Sequence, residues 1–99
     1  MSQVTTHVLD IAGGRPREGI AVVLERDGAE VARGTTDADG RVSDLGPERL
    51  DPGDYSLRFD TSVVSDFFPE VVVTFRLGEG HHHVPLLLSP FAYSTYRGS

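Results

Sequence analysis

The 99-residue chain contains no cysteine, no lysine and no asparagine. Without cysteine there is no disulfide framework, no thiol nucleophile and no thiolate metal site. Without lysine, Schiff-base chemistry and a phosphate-loop lysine are excluded, and a Lys–Asn crosslink is doubly so. All nine bases are arginines, at positions 15, 17, 26, 33, 41, 49, 58, 76 and 97. Long apolar runs are also missing. Stretches such as Val71–Val73 and Val84–Leu88 fall far short of the roughly 20 residues that a membrane-crossing helix needs. The opening MSQVTTHVLD lacks a basic start followed by an apolar stretch. The expectation is therefore a chain without a secretion signal, working in the cytoplasm. Positive charge is scarce: fifteen acids against nine bases give a net charge of −6. This argues against a nucleic-acid or anionic-membrane partner, each of which needs a basic face.

At this length residues 1–99 form a single domain, which removes roughly 60–65% of its extended-chain surface from water. Punctuation recurs at short intervals: Gly13-Gly14-Arg15-Pro16, Asp27-Gly28, Asp39-Gly40, Gly46-Pro47, Asp51-Pro52-Gly53, Gly78-Glu79-Gly80 and Ser89-Pro90. Runs rich in β-branched and aromatic residues lie between these turns, the signature of an all-β sandwich or barrel. Strands are expected at Val4–Ile11, Ile20–Arg26, Glu30–Thr35, Arg41–Val42, Gly53–Phe59, Glu70–Leu77, His81–Ser89 and Ala92–Arg97. Asp27-Gly28 predicts a tight hairpin, because both residues tolerate positive φ. Asp60–Phe68 has room for one helical turn at most.

The run His81–Ser89 is apolar on both faces: Val84, Leu86 and Leu88 on one, Pro85 and Leu87 on the other. One face of a sandwich sheet packs on its partner sheet. With no spare helix to cover the other, the pattern predicts a second subunit there, hence a homo-oligomer; the alternative is a covering loop.

The polar residues that point to chemistry are the histidines. His7 lies inside the first strand, and His81, His82 and His83 open the seventh. Period 2 puts His81 and His83 on the face of Pro85 and Leu87, and His82 with Val84 and Leu86. Imidazole suits proton transfer near neutral pH. His81 and His83 are spaced to share an ion, but no matching carboxylate pattern accompanies them, and no metal is expected. Arg41 follows the Asp39-Gly40 turn, and its planar guanidinium suits a carbonyl-rich ring or a developing oxyanion. No G-x-S-x-G elbow activates a serine. If the chain is an enzyme, histidine-assisted attack by water is the simplest route open to it.

Several segments then converge. Thr6-His7-Val8-Leu9-Asp10, followed by Gly14-Arg15-Pro16, resembles the opening of the 5-hydroxyisourate hydrolases, the transthyretin-related proteins of purine breakdown. Thr36-Asp37-Ala38-Asp39-Gly40-Arg41 resembles that family's T-(N/D)-x-D-G-R segment, and Phe67-Phe68-Pro69-Glu70-Val71 its F-(F/Y)-P-x-V segment. His83 to Phe91 and the closing Tyr93-Ser94-Thr95-Tyr96-Arg97-Gly98-Ser99 are similar to the family's C-terminal signature. The likeness runs over essentially the whole chain. Its Y-R-G-S ending is absent from the hormone-carrying transthyretins.

The resemblance implies a transthyretin-like sandwich of two four-stranded sheets, with the family's short helix trimmed or absent. It also implies four identical subunits around a channel and hydrolysis of 5-hydroxyisourate to 2-oxo-4-hydroxy-4-carboxy-5-ureidoimidazoline, without a cofactor. The family's catalytic residues fall on His7, Arg41, His83 and Ser99. Substrate would also be held by Tyr96, Arg97 and Gly98 of the tail, with Leu9, Pro85 and Leu87 as apolar wall. The usual H-Y-H is His81-His82-His83 here, so a histidine stands at the tyrosine position. Its strand face points away from the site. The competing reading is a non-catalytic small-ligand carrier on the same scaffold. A small adhesin-type domain is a more distant alternative, without its usual crosslink.

Overall fold

The computed structural model describes residues 2–98. Ten strand segments follow in order: β1 (Val4–Asp10), β2 (Arg15–Pro16), β3 (Ala21–Arg26), β4 (Ala29–Thr35), β5 (Arg41–Val42), β6 (Gly53–Asp60), β7 (Glu70–Leu77), β8 (His82–His83), β9 (Leu86–Ser89) and β10 (Ala92–Thr95). No helix occurs among the described residues. Thr61 to Ser65 makes the single helical turn that the sequence allowed, closed by the amide of Ser65 on the Thr61 carbonyl at 2.8 Å.

One sheet is the four-stranded antiparallel array β4-β3-β6-β7. Its strands alternate cleanly: Val22, Leu24, Tyr55, Leu57, Phe59, Val71 and Leu77 are buried, and the residues between them face outward. The β3–β4 hairpin turns through Asp27 at φ 54° and Gly28 at φ 78°, as Asp-Gly predicts for a right-twisted two-residue turn.

The other sheet departs from a plain four-strand count. Its path is β10-β9-β1-β2, with β5 and β8 also paired to β1. Six segments thus occupy four lanes. On one edge β1 runs parallel to β8 and then β9; on the other it is antiparallel to β5 and then β2. The expected strand His81–Ser89 is therefore two segments, interrupted at Val84-Pro85. Proline has no amide hydrogen for the ladder. The period survives the interruption, since His82, Val84, Leu86 and Leu88 are all buried. Arg15-Pro16, expected as part of a turn, pairs with Leu9 and Asp10 of β1. The last strand ends at Thr95, short of the expected Arg97.

Val4, Val8, Val42, Val84 and Leu86 meet Ile20, Val22, Leu24, Leu57 and Phe59 between the sheets. Each such fully buried aliphatic or aromatic side chain contributes roughly 1.5–3 kcal/mol. Polar groups buried at the core's edge are paired. Gln3 donates to the carbonyls of Gly78 and Gly80 at 3.0 and 2.9 Å and accepts from the Leu50 amide at 2.7 Å. This holds the start of β1 against the loops on either side, and so fixes where the outward face of β1 lies.

Candidate functional site

The site grows from the outward face of β1, on which Thr5, His7 and Leu9 alternate with buried Val4, Thr6 and Val8. Each neighbouring segment brings one group to it.

Arg41 arrives through a tightly closed loop. Buried Thr36 donates its hydroxyl to the Arg17 carbonyl at 2.8 Å and accepts from the Ile20 amide at 2.9 Å. The Asp37 carboxylate accepts from the amides of Asp39 and Arg41 at 2.9 and 3.0 Å, an Asx-type closure. Gly40, at φ 75°, then passes so close to β1 that its carbonyl accepts from the Val8 amide at 2.7 Å. The result is a register in which His7 and Arg41 are direct partners.

His7 is half-buried, and its Nε2 lies 2.8 Å from the Asp39 carbonyl oxygen. A carbonyl only accepts, so Nε2 carries the proton, and Nδ1 of the neutral ring is left with a lone pair. The loop that delivers Arg41 therefore also sets the His7 tautomer.

His83 comes from the opposite edge, where β8 pairs Thr5 with His83 in parallel register. Its Nδ1 lies 2.8 Å from the Thr5 hydroxyl, and Nε2 of His81 lies 2.8 Å from the same oxygen. The His81 and His83 rings are nearly parallel, 6.4 Å apart. Thr5, Arg41, His81 and His83 line a cavity of about 230 Å³. Burial, the Arg41 guanidinium and the imidazoles of His7 and His81 all push the His83 pKa below its ordinary value of 6.5. Each opposes a positive charge on that ring. The arrangement sets Arg41 and His83 on opposite sides of β1, beside His7 and Thr5 respectively, with His7 donating through Nε2 and His83 held through Nδ1.

Of the tail, Gly98 bridges to His83, its amide donating to the His83 carbonyl at 2.7 Å. A Cβ at Gly98 would stand 2.7 Å from the ring carbon Cδ2 of His83. Tyr96 and Arg97 are exposed, and Ser99 lies outside the described residues. Leu9 and Leu87 are half-buried register partners on the same outer face. Pro85 is buried, with its carbonyl accepting from the Thr95 hydroxyl at 2.7 Å. His82 sits on the inner face, 5% exposed. Its Nδ1 donates to the Gly80 carbonyl at 3.0 Å and its Nε2 faces the Gly78 amide at 3.4 Å. It ties its own loop together, away from the cavity. Among the described residues no three metal-ligating side chains converge.

Two participants escape a reading of the sequence. Asp39 acts through its carbonyl, which no side-chain pattern reveals. Thr5 is an ordinary strand residue until β8 is placed beside it. Its parity with His7 was the available signal.

The family model for the HIUase/transthyretin family matches residues 4–98. The chain is 44% identical to the 5-hydroxyisourate hydrolase of Caulobacter vibrioides, over all of both sequences. It superposes on the structure of Klebsiella pneumoniae 5-hydroxyisourate hydrolase with a TM-score of 0.91 and 38% identity, covering both chains completely. It is also similar to sea bream transthyretin in complex with thyroxine, with a TM-score of 0.85 and 31% identity over 97% of this chain and 94% of that one.

Proposed function

The chain belongs to the HIUase/transthyretin family, and we propose that it is a hydrolase that opens the ring of 5-hydroxyisourate to 2-oxo-4-hydroxy-4-carboxy-5-ureidoimidazoline in urate breakdown. Both 5-hydroxyisourate hydrolases named above support this reading. The likeness to sea bream transthyretin means that the fold alone does not separate a hydrolase from a ligand carrier. The observation that carries the proposal is local: Arg41 is the register partner of His7 and lines one cavity with His83, so a cation lies beside both proton-transfer groups.

In the proposed reaction Arg41 binds the oxygen- and nitrogen-rich ring and stabilises the charge that grows on the attacked carbonyl oxygen. His7 and His83 position a water molecule and take its proton as the oxygen adds to the carbonyl carbon. The ring C–N bond then breaks, and the proton passes to the leaving nitrogen. Water alone is consumed, and no cofactor or metal enters the scheme. Tyr96, Arg97, Gly98 and Ser99 close the site and supply polar contacts, with Leu9, Pro85 and Leu87 as its apolar surround.

The same proposal takes residues 1–99 as one domain and four copies as the working assembly. β10 is exposed throughout, and its outer edge pairs with no other described strand. Ile11, Phe91, Tyr93 and Tyr96 are large, apolar and exposed. A bare edge beside such side chains is normally covered. A cytoplasmic location belongs to the proposal too; the structure adds that no helix among the described residues is long and apolar enough to cross a membrane.

The test is the ultraviolet decay of freshly made 5-hydroxyisourate, with and without gel-filtered protein. The expected result is decay well above the spontaneous rate, travelling with the assembled species. Stoichiometric binding without faster decay makes the chain a carrier. Full turnover by a single subunit overturns the shared-channel assembly.

The pH dependence follows from the groups around His83. Holding its pKa below 6.5 keeps the ring neutral, and thus able to accept a proton, to lower pH than an ordinary histidine. The acid limb of kcat/KM is therefore expected below pH 6.5. Arg41→Gln removes one of the positive charges, so the limb should move upward. Unchanged limbs in the two proteins would detach His83 from the rate.

A further inference from the structure

The Thr5 hydroxyl touches two imidazoles at once, and the proposed reaction uses only one of them. We propose that Thr5 is a positioning residue that ties His83 to His81, and that the three side chains form a proton relay leading out of the site. The inference rests on the hydrolase reading for its catalytic meaning, but the link itself is a property of the protein alone.

The stoichiometry of hydrogens dictates the relay. Thr5 Oγ1 lies 2.8 Å from Nε2 of His81 and 2.8 Å from Nδ1 of His83. A hydroxyl has one proton to donate. It therefore donates to one ring and accepts from the other. If it donates to His83, the Nδ1 of that ring is the acceptor and its Nε2 carries hydrogen. If it donates to His81, Nδ1 of His83 carries hydrogen and Nε2 has the free lone pair. The direction of one hydroxyl thus sets whether Nε2 of His83 is poised as acid or as base.

Moving the two hydrogens converts one arrangement into the other. When Nε2 of His83 takes the proton of the attacking water, the Nδ1 proton passes to Thr5 Oγ1, and the hydroxyl proton passes to Nε2 of His81. No atom is lost, His83 stays neutral, and the charge emerges on His81. Retracing the steps returns a proton to the leaving nitrogen.

The surroundings favour that outcome. His83 is the ring on which charge is opposed from every side: by Arg41 on β5, by His7 on β1, by its own burial and by His81. His81 is exposed. It also lines a second, larger cavity of about 840 Å³, which carries Glu48 and Glu79. Only His81 is common to that cavity and to the one holding Thr5, Arg41 and His83. His81 thus stands where a proton leaving the first cavity can pass to water in the second.

The experiment compares wild-type protein with Thr5→Val, Thr5→Ser and His81→Gln. It follows kcat and KM on 5-hydroxyisourate across pH, and the tautomers of His81 and His83 by nitrogen-15 NMR. Valine keeps the shape of threonine without the hydroxyl, serine keeps the hydroxyl, and glutamine at an exposed position donates without titrating. Thr5→Val is expected to lower kcat about ten- to a hundredfold with little change in KM, less than losing a catalytic proton-transfer group outright. Thr5→Ser should restore most of it. His81→Gln should lower kcat severalfold, with recovery in imidazole buffer, which carries protons in its place. By NMR the two rings should titrate as a coupled pair in wild type and independently in Thr5→Val.

Near-wild-type kcat in Thr5→Val, or a loss that serine does not restore, overturns the relay. So does independent titration of the two rings in wild type. If wild-type protein leaves the decay of 5-hydroxyisourate unchanged, the hydrolase reading falls instead, and the NMR titration still decides the link between Thr5 and the two rings.

Discussion

His83→Ala is expected to lower kcat/KM on 5-hydroxyisourate by about 10²–10⁴, the range for removing a positioned proton-transfer group. His7→Ala should fall in the same range, and the double variant only slightly further. The rings serve one water and one leaving nitrogen. Once either is missing, the water is no longer positioned for the other, and the two losses do not add. The geometry distinguishes the single variants. His7 is oriented by a backbone carbonyl, that of Asp39 at 2.8 Å, which no side-chain substitution removes. His83 is oriented by the Thr5 side chain at 2.8 Å. Replacing Thr5 therefore loosens His83, and His81 with it, but not His7. Steady-state assays with both alanine variants decide the matter, with circular dichroism to show that the strands remain. Neither ring contributes to the inter-sheet core: His7 is half-buried on an outer face, and Val4 and Val8 hold β1 in place. Near-wild-type kcat/KM in both variants would remove the two imidazoles from the chemistry.

Some of this molecule is legible in its residues because the governing interactions are local. Glu70–Leu77 carries an apolar residue at every second position, Val71, Val73, Phe75 and Leu77, and is the strand observed as β7. Asp27-Gly28 makes the turn that its tolerance of positive φ requires. The two-residue period through His82, Val84, Leu86 and Leu88 separates inner from outer faces, although Pro85 breaks the ladder between them. What escapes is decided by contacts distant in sequence. Arg15-Pro16 reads as a turn because a proline beside glycines is one locally; its pairing exists because β1 lies alongside. The strand ending at Thr95 is shorter than its composition suggests. Beyond it the chain leaves β9, and Gly98 turns instead to the His83 backbone.

The site divides in the same way. His7, Arg41 and His83 stand out by residue type and by resemblance, and the register of β1 with β5 and β8 brings Arg41 to His7 and His83 to Thr5. Thr5 has no chemical signature until β8 and the residue before it bring the His83 and His81 imidazoles to its hydroxyl. The buried position of His82 follows from strand parity; that both its ring nitrogens serve the Gly78–Gly80 loop does not.

Gly40→Ala is expected to be the most damaging small substitution in the site's scaffold, because two separate costs coincide there. Gly40 has φ 75°, a conformation that costs an alanine on the order of 1 kcal/mol. Its added Cβ would also stand 2.5 Å from the Val8 carbonyl oxygen, 2.8 Å from Pro16 Cβ and 3.1 Å from the Arg17 amide nitrogen. Two of these are backbone atoms and the third is a proline ring, so no flexible side chain swings aside. Relief requires β5 to move off β1. That movement breaks the Val8–Gly40 hydrogen bond and withdraws both Arg41 and the Asp39 carbonyl that holds His7. A loss of about 2–4 kcal/mol is expected, as for other overpacked sites. At about 4–8 °C per kcal/mol for a domain of this size, the melting temperature should fall by roughly 8–32 °C at fixed protein concentration. Gly14→Ala is the internal control. It has a similar φ of 68° with nothing within 4 Å of the added Cβ, so it carries the backbone cost without the collision. Thermal melts of the two variants isolate the close approach, and kcat/KM of the folded Gly40→Ala fraction should fall further than its stability explains. If the two variants melt together, contact between Gly40 and β1 is not what seats Arg41 beside His7.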